Sequence, residues 1–364
     1  MQRRYLLAGA GAAVGLAAAA ALTTRAMGSM ADHAAEMAAL RRPLAAPPEL
    51  LDLVRYATLA ANGHNAQPWR FRLRGDGIDI LPDLARRTPV VDPDDHHLFV
   101  SLGCAVENLA LAAGATGRPG RIGFDAAAGG AVTFRFADAP PASLELFGAI
   151  ARRQSTRAEY DGRPVGAAAL AALASAAAVP GVRLVLLTDR PGMDRVRDLV
   201  LAGNTAQMSD PAFLRELTRW LRFNPREALA RGDGLFSAAS GQPIAPSWLG
   251  PILFRAFASA ASGNDTYARQ LRSSPGIAVF LADQEDHDHW VRVGRACQRF
   301  ALQATALGLK HAYINQPVEV ASLRPELARL VGLPGHRPDL VLRFGHGPTL
   351  PYAARRPAGS VVVA

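Results

Sequence analysis

The amino-acid sequence predicts an α+β fold in which two similar halves share one chain. A long apolar helix is indicated in each half, near residues 101–111 and 294–304. Strand-like runs flank these helices at 78–81, 132–136, 183–188, 277–281 and 340–344. Because helices alternate with short strands and no repeated β-α-β crossover is evident, a layered α+β arrangement is favoured over a parallel sheet.

The two helices are related by one constant offset along the sequence. Gly103 matches Gly294, and Gly117 matches Gly308 at the other end. This is a weak internal repeat, and two alanine-rich helices can also match in this way by coincidence. The offset nevertheless predicts that the second half repeats the architecture of the first.

The length of 364 residues suffices for two core-forming units, at about 100–200 residues per domain. We place the first half at 27–140 and the second at 141–364, with the boundary at Pro140-Pro141. An insertion of about 204–264 interrupts the second half. It is either a helical subdomain with its own core or a lid over a ligand cleft, since long insertions often cover sites. Its aromatic residues are Phe213, Trp220, Phe223, Phe236, Trp248, Phe254 and Phe257.

The first 26 residues have the composition of an export signal. Arg3 and Arg4 precede an apolar, alanine- and glycine-rich run that ends at Leu22, and small residues follow. The paired arginines predict export by the twin-arginine route. The apolar run also approaches the roughly 20 residues that span a bilayer, so an uncleaved anchor in the cytoplasmic membrane is the alternative.

Composition excludes several classes of function. The net charge is +9, but the basic residues are scattered arginines without interleaved aromatic residues, so nucleic-acid binding is not expected. Lys310 is the one lysine, and no phosphate-binding loop of the GK[ST] type is present. Cys104 and Cys297 are too few for a disulfide framework, and their helices predict buried, inert thiols.

Two histidine-containing runs invite a metal interpretation that we do not adopt. His96 and His97 are adjacent, and residues 286–289 read Asp-His-Asp-His. A pair of histidines two apart does not form a compact tetrahedral set, so the second run is predicted to be a solvated turn. We therefore predict no metal site.

A polar loop at residues 62–69, with the sequence NGHNAQPW, is the first candidate for ligand binding. Its amides each offer a donor and an acceptor, which suits the edge of a flat heterocycle such as a flavin. A polar turn that caps a helix, with Trp69 in the core, is the plain alternative. The candidate residues are Asn62, Gly63, His64, Asn65 and Gln67.

The second candidate is the run at residues 152–157, with the sequence RRQSTR. Arg153 and Arg157 are four apart and would project from one face of a helix. With Gln154 and Ser155 they can bind a phosphate through charge-assisted hydrogen bonds, worth about 1.5–3 kcal/mol each. A solvated basic helix end is the alternative.

These runs belong to a wider resemblance that covers nearly everything after residue 45. The segments AANGHNAQPWRF, SLGCAVENLALAA, RRQSTRAEYDGRPV, HAYINQP and LRFGHG occur in this order. Together they resemble the nitroreductase family of flavin mononucleotide (FMN) proteins, and specifically its two-halved Acg-like branch. The resemblance implies a nitroreductase-like fold whose two halves form a fused pseudo-dimer.

The resemblance also implies the residues of the flavin site. The loop at 62–69 and the run at 152–157 would hold the cofactor, although Asn62-Gly63 replaces the family's usual pair of serines. A third segment would face the flavin ring, and a basic pair would lie near the phosphate. These additional residues are Tyr313, Ile314, Asn315, Gln316, Arg355 and Arg356.

Only one of the two sites expected of a fused dimer is complete in the sequence. Where the first half would carry its own phosphate-binding run it has Arg41-Arg42-Pro43, without a serine. Where the second half would carry the amide loop it has residues 179–182, without amides. We therefore expect a monomer that binds one FMN.

The expected activity is an NAD(P)H-dependent oxidoreductase acting on small nitroaromatic or quinone-type acceptors. No catalytic side chain is assigned, because the flavin carries the redox chemistry and the protein orients the reactants. Turnover would be slow if the insertion is a lid. A protein that binds and sequesters FMN without turnover is the alternative function.

Overall fold

The computed structural model describes residues 25–45, 48–138 and 143–364. The predicted boundary at Pro140-Pro141 lies outside these ranges, and so does the predicted export signal except for its last two residues. The described chain has mixed α and β structure, as predicted.

The helices are α1 (Met30–Leu40), α2 (Leu50–Thr58), α3 (His96–Ala115), α4 (Leu144–Ile150), α5 (Ala167–Ala176), α6 (Arg190–Met208), α7 (Pro211–Trp220), α8 (Pro225–Arg231), α9 (Gly250–Phe257), α10 (Ala260–Arg272), α11 (His287–Ala306), α12 (Gln316–Glu319) and α13 (Arg324–Leu330). The strands are β1 (Trp69–Arg74), β2 (Gly77–Pro82), β3 (Gly120–Asp125), β4 (Ala131–Phe136), β5 (Val182–Leu187), β6 (Leu221–Arg222), β7 (Leu235–Phe236), β8 (Gly276–Ala282), β9 (Lys310–Tyr313), β10 (Pro338–Gly345) and β11 (Val362–Val363).

The two main sheets have the same strand order. The first is β11-β1-β2-β4-β3 and the second is β5-β8-β10-β9. When β11 is left out and the strands of each sheet are numbered along the chain, both sheets have the spatial order 1-2-4-3. In both, a long helix lies between the second and third strands in the sequence. The turn between β1 and β2 is tight, whereas β5 and β8 are separated by the insertion. All five predicted strands are confirmed, as β2, β4, β5, β8 and β10.

The long helices α3 and α11 cross at two glycines. A Cβ atom on Gly103 would lie 2.0 Å from the carbonyl oxygen of Val291, and one on Gly294 would lie 1.9 Å from that of Val100. Val100 and Val291 are related by the same offset as the two glycines, so the crossing is symmetric. Only glycine lets the two backbones approach this closely.

We expect Gly103→Ala to destabilise the protein by about 1–3 kcal/mol, the usual cost of overpacking a dense core. The new methyl group would collide with a backbone carbonyl that cannot rotate away. Thermal unfolding measures this effect. Gly148→Ala is the matched control, because a Cβ atom there meets nothing within 4 Å. An unchanged melting temperature for Gly103→Ala would show that the helices can move apart at little cost.

The halves share one hydrophobic core, in which Leu102 of α3 and Phe300 of α11 are both fully buried. In the described ranges α3 is the one helix long and apolar enough to cross a membrane, and most of it is buried as a core helix. β11 extends this connection, because it pairs in parallel with β1 at Phe71 and Val362. The C-terminal segment thereby reaches the sheet of the first half.

The insertion contains α7, α8, α9 and the small parallel sheet of β6 and β7. Trp220 and Phe236 are buried within it, whereas Trp248 and Phe257 are 67% and 73% exposed. The predicted aromatic set is therefore divided between a small internal core and the surface.

Candidate functional site

The polar loop at 62–69 connects α2 to β1 and is held in an unusual backbone conformation. Residues His64, Asn65 and Gln67 have φ angles of 50°, 52° and 53°, in the left-handed region. Such angles are rare outside glycine and persist where the surroundings impose them. Trp69 is fully buried, as predicted, and fixes the end of the loop in the core.

The amides of this loop hold neighbouring backbone. The Asn65 Nδ2 donates to the carbonyl oxygens of Gly234 and Ala354, both at 3.0 Å, and the Gln67 Nε2 donates to that of Gly232 at 2.8 Å. Gly232 and Gly234 belong to the insertion. In this structure the two amides therefore tie the insertion and the C-terminal segment to the loop, a role that their chemistry alone did not indicate.

Two adjacent cavities lie beside the loop. The larger has a volume of about 250 Å³ and the smaller of about 80 Å³. Their shared lining residues come from the loop and the residue before it, the run at 152–157, the insertion and β9. The shared residues are Ala61, Asn62, Arg157, Leu235 and Tyr313.

The smaller cavity is strongly basic. Four arginines line it, namely Arg41, Arg153, Arg157 and Arg355, and no lining residue described for it is acidic. The Arg153 side chain is 4% exposed, and its Nε and Nη1 atoms have no hydrogen-bond partner among the described residues. Its Nη2 donates to the Leu59 carbonyl oxygen at 3.0 Å, so the guanidinium is only partly satisfied. A buried guanidinium with two unpartnered nitrogens is costly, and an anion in the cavity would offset that cost.

The pKa values of these arginines reflect the same deficit of negative charge. Burial lowers the pKa of Arg41 to about 10 and lowers that of Arg157. Burial and then the charges of Arg153 and Arg41 hold the pKa of Arg355 well below its usual range. Each shift means that burial disfavours the charged form, which a bound anion would stabilise.

The run at 152–157 is not helical, which corrects the prediction from the spacing of its arginines. α4 ends at Ile150, a turn follows at 151–152, and residues 153–157 form no helix. Ser155 forms an isolated parallel bridge with His311 of β9, and the Thr156 amide donates to the His311 carbonyl oxygen at 2.8 Å. Arg153 and Arg157 nevertheless line the same cavity.

Other predicted residues of the smaller cavity act on the protein itself. The Gln154 amide donates to the Leu350 carbonyl oxygen at 2.8 Å, and Arg355 donates to the carbonyl oxygens of Thr58 and Ala60. Arg356 does not line either cavity. Its backbone amide donates to the Gln67 Oε1 at 2.9 Å, so it supports the loop.

Arg41 is a member of the cavity that the sequence did not indicate. The prediction assigned it, with Arg42, to a run that had lost its function, but its guanidinium lies 3.9 Å above the ring of Tyr352 in the cavity wall. Arg42 points outward, with its side chain 62% exposed. No spacing rule connects Arg41 to Arg153, because only the tertiary fold brings them together.

The larger cavity contains most of the third predicted segment. Tyr313, Asn315 and Gln316 line it, together with Asn62, Gly63 and His64 of the loop. Ile314 lines neither cavity; it is 1% exposed and packs within a buried hydrophobic cluster. Burial lowers the pKa of His64 to about 4, so this side chain is neutral near pH 7.

A buried titratable cluster lies along the same cavity. The His97 Nε2 is 3.7 Å from the Glu319 Oε1, and both residues line the cavity. Behind them, the His96 Nε2 is 2.8 Å from the Asp339 Oδ1. Burial raises the pKa of Glu319 and lowers that of His97 to about 3. Both histidines, which the sequence offers as possible metal ligands, lie next to carboxylates in the structure.

The run at 286–289 is a helix start, which corrects its prediction as a turn. Asp286 is the N-cap of α11 and accepts from the backbone amide of His289 at 2.9 Å. His287 and His289 therefore belong to the first turn of that helix.

The insertion forms one wall of the larger cavity, through Met208, Phe213 and Leu217. Its contacts with the opposite wall are polar. The Glu216 carboxylate accepts from the backbone amides of Val90 and Val91, at 3.0 and 3.1 Å.

Two further contacts hold the insertion to the rest of the protein. The Gln207 amide donates to Glu319 at 2.6 Å, and Asp233 pairs with Arg86. The insertion is thus attached on both sides of the cavity.

A family model described as the Nitroreductase family matches residues 150–346, which is more than half of the chain. This chain belongs to the nitroreductase family. The matched residues include the run at 152–157, β9 and the segment at 313–316. As a member of this family the chain is an oxidoreductase.

Two relatives from Mycobacterium tuberculosis, both provisionally named NAD(P)H nitroreductases, are each 29% identical over 336 residues. Each alignment covers 84% of this chain and 88% of the relative.

Solved structures give weaker matches. A nitroreductase with bound FMN from Desulfitobacterium hafniense is 19% identical with a TM-score of 0.39, covering 59% of this chain and 95% of that one. The FMN-dependent nitroreductase NfnB from Mycobacterium smegmatis, in complex with NADPH, is 13% identical with a TM-score of 0.37, covering 56% and 87%. Because both TM-scores are low, the family assignment rests on the family model.

Proposed function

We propose that this chain is an FMN-dependent oxidoreductase that takes electrons from NAD(P)H and reduces small nitroaromatic or quinone-type acceptors. The observation that carries the proposal is the basic cavity, which is lined by four arginines and by no acidic residue among those that the structure describes. It lies beside a larger cavity of mixed polarity, with which it shares five lining residues. A phosphate on a short chain, joined to a flat heterocycle, fits this pair of spaces. Family membership independently supports the same cofactor.

Each cavity has a distinct part in this proposal. Arg153, Arg157 and Arg41 would bind the phosphate, with Ser155 as an additional donor. Tyr313 and Asn315 would lie along the ring in the larger cavity. When bound, the flavin supplies the hydride chemistry, while these residues orient it and exclude water. No side chain is assigned a catalytic role.

We propose further that the insertion is a lid that slows turnover. Support comes from its place in the cavity wall and from the hydrogen bonds of Glu216 and Gln207 that fasten it. Since a nicotinamide must stack on the flavin to transfer hydride, a fastened lid would restrict its entry. The same contacts favour the second candidate function, in which the protein sequesters FMN without turnover.

The finer assignments are also proposals. We infer a fused pseudo-dimer that is monomeric and belongs to the Acg-like branch, supported by the equal strand orders and the symmetric crossing at Gly103 and Gly294. We infer export by the twin-arginine route, or anchoring to the cytoplasmic membrane, from residues 1–26. The boundaries at 27–140 and 141–364 follow from the same repeat.

The purified protein is expected to be yellow and monomeric and to contain one FMN per chain, because the four arginines form one phosphate site. Absorbance spectra before and after anaerobic addition of NADPH, with mass spectrometry of the released cofactor, test this. Bleaching by NADPH supports the oxidoreductase, and bleaching by dithionite alone supports sequestration. Two flavins per chain, or a flavin-free protein that does not bind added FMN, would contradict the proposal.

A further inference from the structure

The insertion carries an exposed apolar surface that is unlike the rest of the described protein. Five of the ten large apolar side chains exposed in the described ranges fall within residues 244–257. We call this set the apolar surface; it consists of Ile244, Trp248, Ile252, Leu253 and Phe257. Contiguous exposed apolar patches usually mark sites of contact with a partner or a membrane.

The helix α9 organises this surface. Ile252, Leu253 and Phe257 lie on α9, where Leu253 and Phe257 are four residues apart and share one face. Trp248 lies in the turn just before the helix. Phe257 and Trp248 are the most exposed members, at 73% and 67%. Aromatic side chains of this kind are enriched where proteins meet the interface of a bilayer.

The charge around the surface fits anionic lipid. Between Asp233 and Asp265 the sequence has no acidic residue, and its one charged residue is Arg255, which is exposed. Asp233 itself is paired with Arg86 and Arg222. The lack of acidic residues in this stretch avoids repulsion by an anionic membrane, and Arg255 adds one favourable charge near the lipid head groups.

The position at which the N-terminal segment joins the structure supplies an independent argument. The Arg226 Nη2 donates to the carbonyl oxygen of Arg25 at 3.1 Å, so the chain enters the described structure beside α8 of the insertion. The Asn224 Nδ2, just before α8, donates to the Ala245 carbonyl oxygen at 3.1 Å and to the Ser247 Oγ at 2.9 Å. The apolar N-terminal run and the apolar surface thus connect to the same small subdomain.

We propose that the apolar surface of the insertion docks onto an anionic lipid bilayer, in the subdomain beside which the described chain begins at Arg25. The N-terminal run would bring the protein to the membrane, and α9 would form a second contact that fixes its orientation. This inference is independent of the proposed redox function, since it concerns a surface and not the cavities.

Trp248 is a natural reporter of this contact. The chain has four tryptophans, and the other three, Trp69, Trp220 and Trp290, are at most 6% exposed. The full chain is mixed with vesicles of phosphatidylcholine and phosphatidylglycerol whose acyl chains are brominated. In the parent protein, docking should quench the tryptophan fluorescence that comes from Trp248. The Trp248→Phe variant lacks this emission, so the vesicles should not quench its remaining fluorescence.

The double variant Ile252→Ser with Phe257→Ser should lose this quenching while the protein still sediments with the vesicles through its N-terminal run. Leu144→Ser is the matched control, because Leu144 is 70% exposed but lies outside the apolar surface. It should retain full quenching.

Three results would overturn the proposal. Sedimentation with vesicles without quenching of Trp248 would mean that the N-terminal run acts alone, and no sedimentation would exclude membrane binding altogether. Trp248 that is already shielded from acrylamide without vesicles would mean that residues 1–24 or a second copy cover the surface. Size-exclusion chromatography of the double variant then distinguishes those two occupants.

Discussion

Replacing Arg153 and Arg157 together by alanine is expected to weaken FMN binding by about 150- to 25,000-fold. The estimate assumes that each guanidinium contributes one charge-assisted interaction with the phosphate, worth about 1.5–3 kcal/mol. Isothermal titration of the FMN-free protein measures the dissociation constant directly. Arg42→Ala is the matched control, because Arg42 is exposed and its nearest carboxylate, on Asp52, is 3.5 Å away.

The FMN-free form of the double variant should be about as stable as the parent. The Nε and Nη1 atoms of Arg153 are buried without a partner in the described protein, so removing them relieves a desolvation cost, but the variant also loses the hydrogen bond that the Nη2 donates to the Leu59 carbonyl oxygen at 3.0 Å. In thermal unfolding, the FMN-free double variant should therefore melt at about the same temperature as the FMN-free parent. Added FMN should no longer raise its melting temperature. Equal FMN affinity in the double variant and in Arg42→Ala would mean that the phosphate binds elsewhere.

Arg41→Ala should fall between these two variants. Arg41 lines the same cavity, but it is fastened to the protein by a hydrogen bond to the Met37 carbonyl oxygen and by its contact with Tyr352. The sequence alone favours Arg41 as an inert control. The structure makes it an additional ligand for the phosphate and leaves Arg42 as the inert neighbour.

The sequence predicted the repeated framework well, because that framework depends on local patterns. The strands β8 and β10 are buried along their whole length, and both are rich in apolar residues. Such runs are recognisable from the local hydrophobic pattern of the sequence. The glycines at the helix crossing were visible as a constant offset. β9 was not predicted as a strand, because its four residues, KHAY, carry no alternating pattern.

The site could be predicted only as a set of residue types. Asn65 and Gln67 were recognised as amides able to bind a ring, but their partners are carbonyl oxygens of the insertion, some 165 to 169 residues away in sequence. Donor and acceptor chemistry is the same for a flavin edge and for a peptide. Only the tertiary structure determines which of the two is reached.

The insertion was likewise recognised as an aromatic segment without a defined position. Phe213 lines the larger cavity, Trp220 is buried and Trp248 is exposed, so three similar residues have three different surroundings. The polar contacts of Glu216 and Asp233 determine where the segment lies. Neither residue has a sequence neighbour that indicates its partner.

The largest expected gain in activity comes from releasing this insertion with a single substitution. In Glu216→Ala the backbone amides of Val90 and Val91 lose the carboxylate that accepts from both of them, and they form hydrogen bonds with water instead. Since these hydrogen bonds lie near the surface, we expect the closed state to lose about 1–2 kcal/mol, which raises the open population about 5- to 30-fold. The steady-state rate of NADPH oxidation with a nitroaromatic acceptor should rise by the same factor.

Dithionite separates access from chemistry in this experiment. A small reductant needs no stacking on the ring, so its rate of flavin reduction should be equal in Glu216→Ala and in the parent protein. Glu36→Ala is the control for loss of one surface carboxylate, because Glu36 is exposed on α1 and is not among the residues that line the larger cavity.

Deletion of residues 208–261 is a less selective test of the lid. It would also remove the Gly232 and Gly234 carbonyl oxygens that hold Gln67 and Asn65, and so would disturb the loop as well as open the cavity. The point variant leaves those contacts intact. Fast NADPH oxidation by the parent protein, unchanged in Glu216→Ala, would show that the insertion is a structural subdomain, because a lid that limits entry must respond when its fastening is cut.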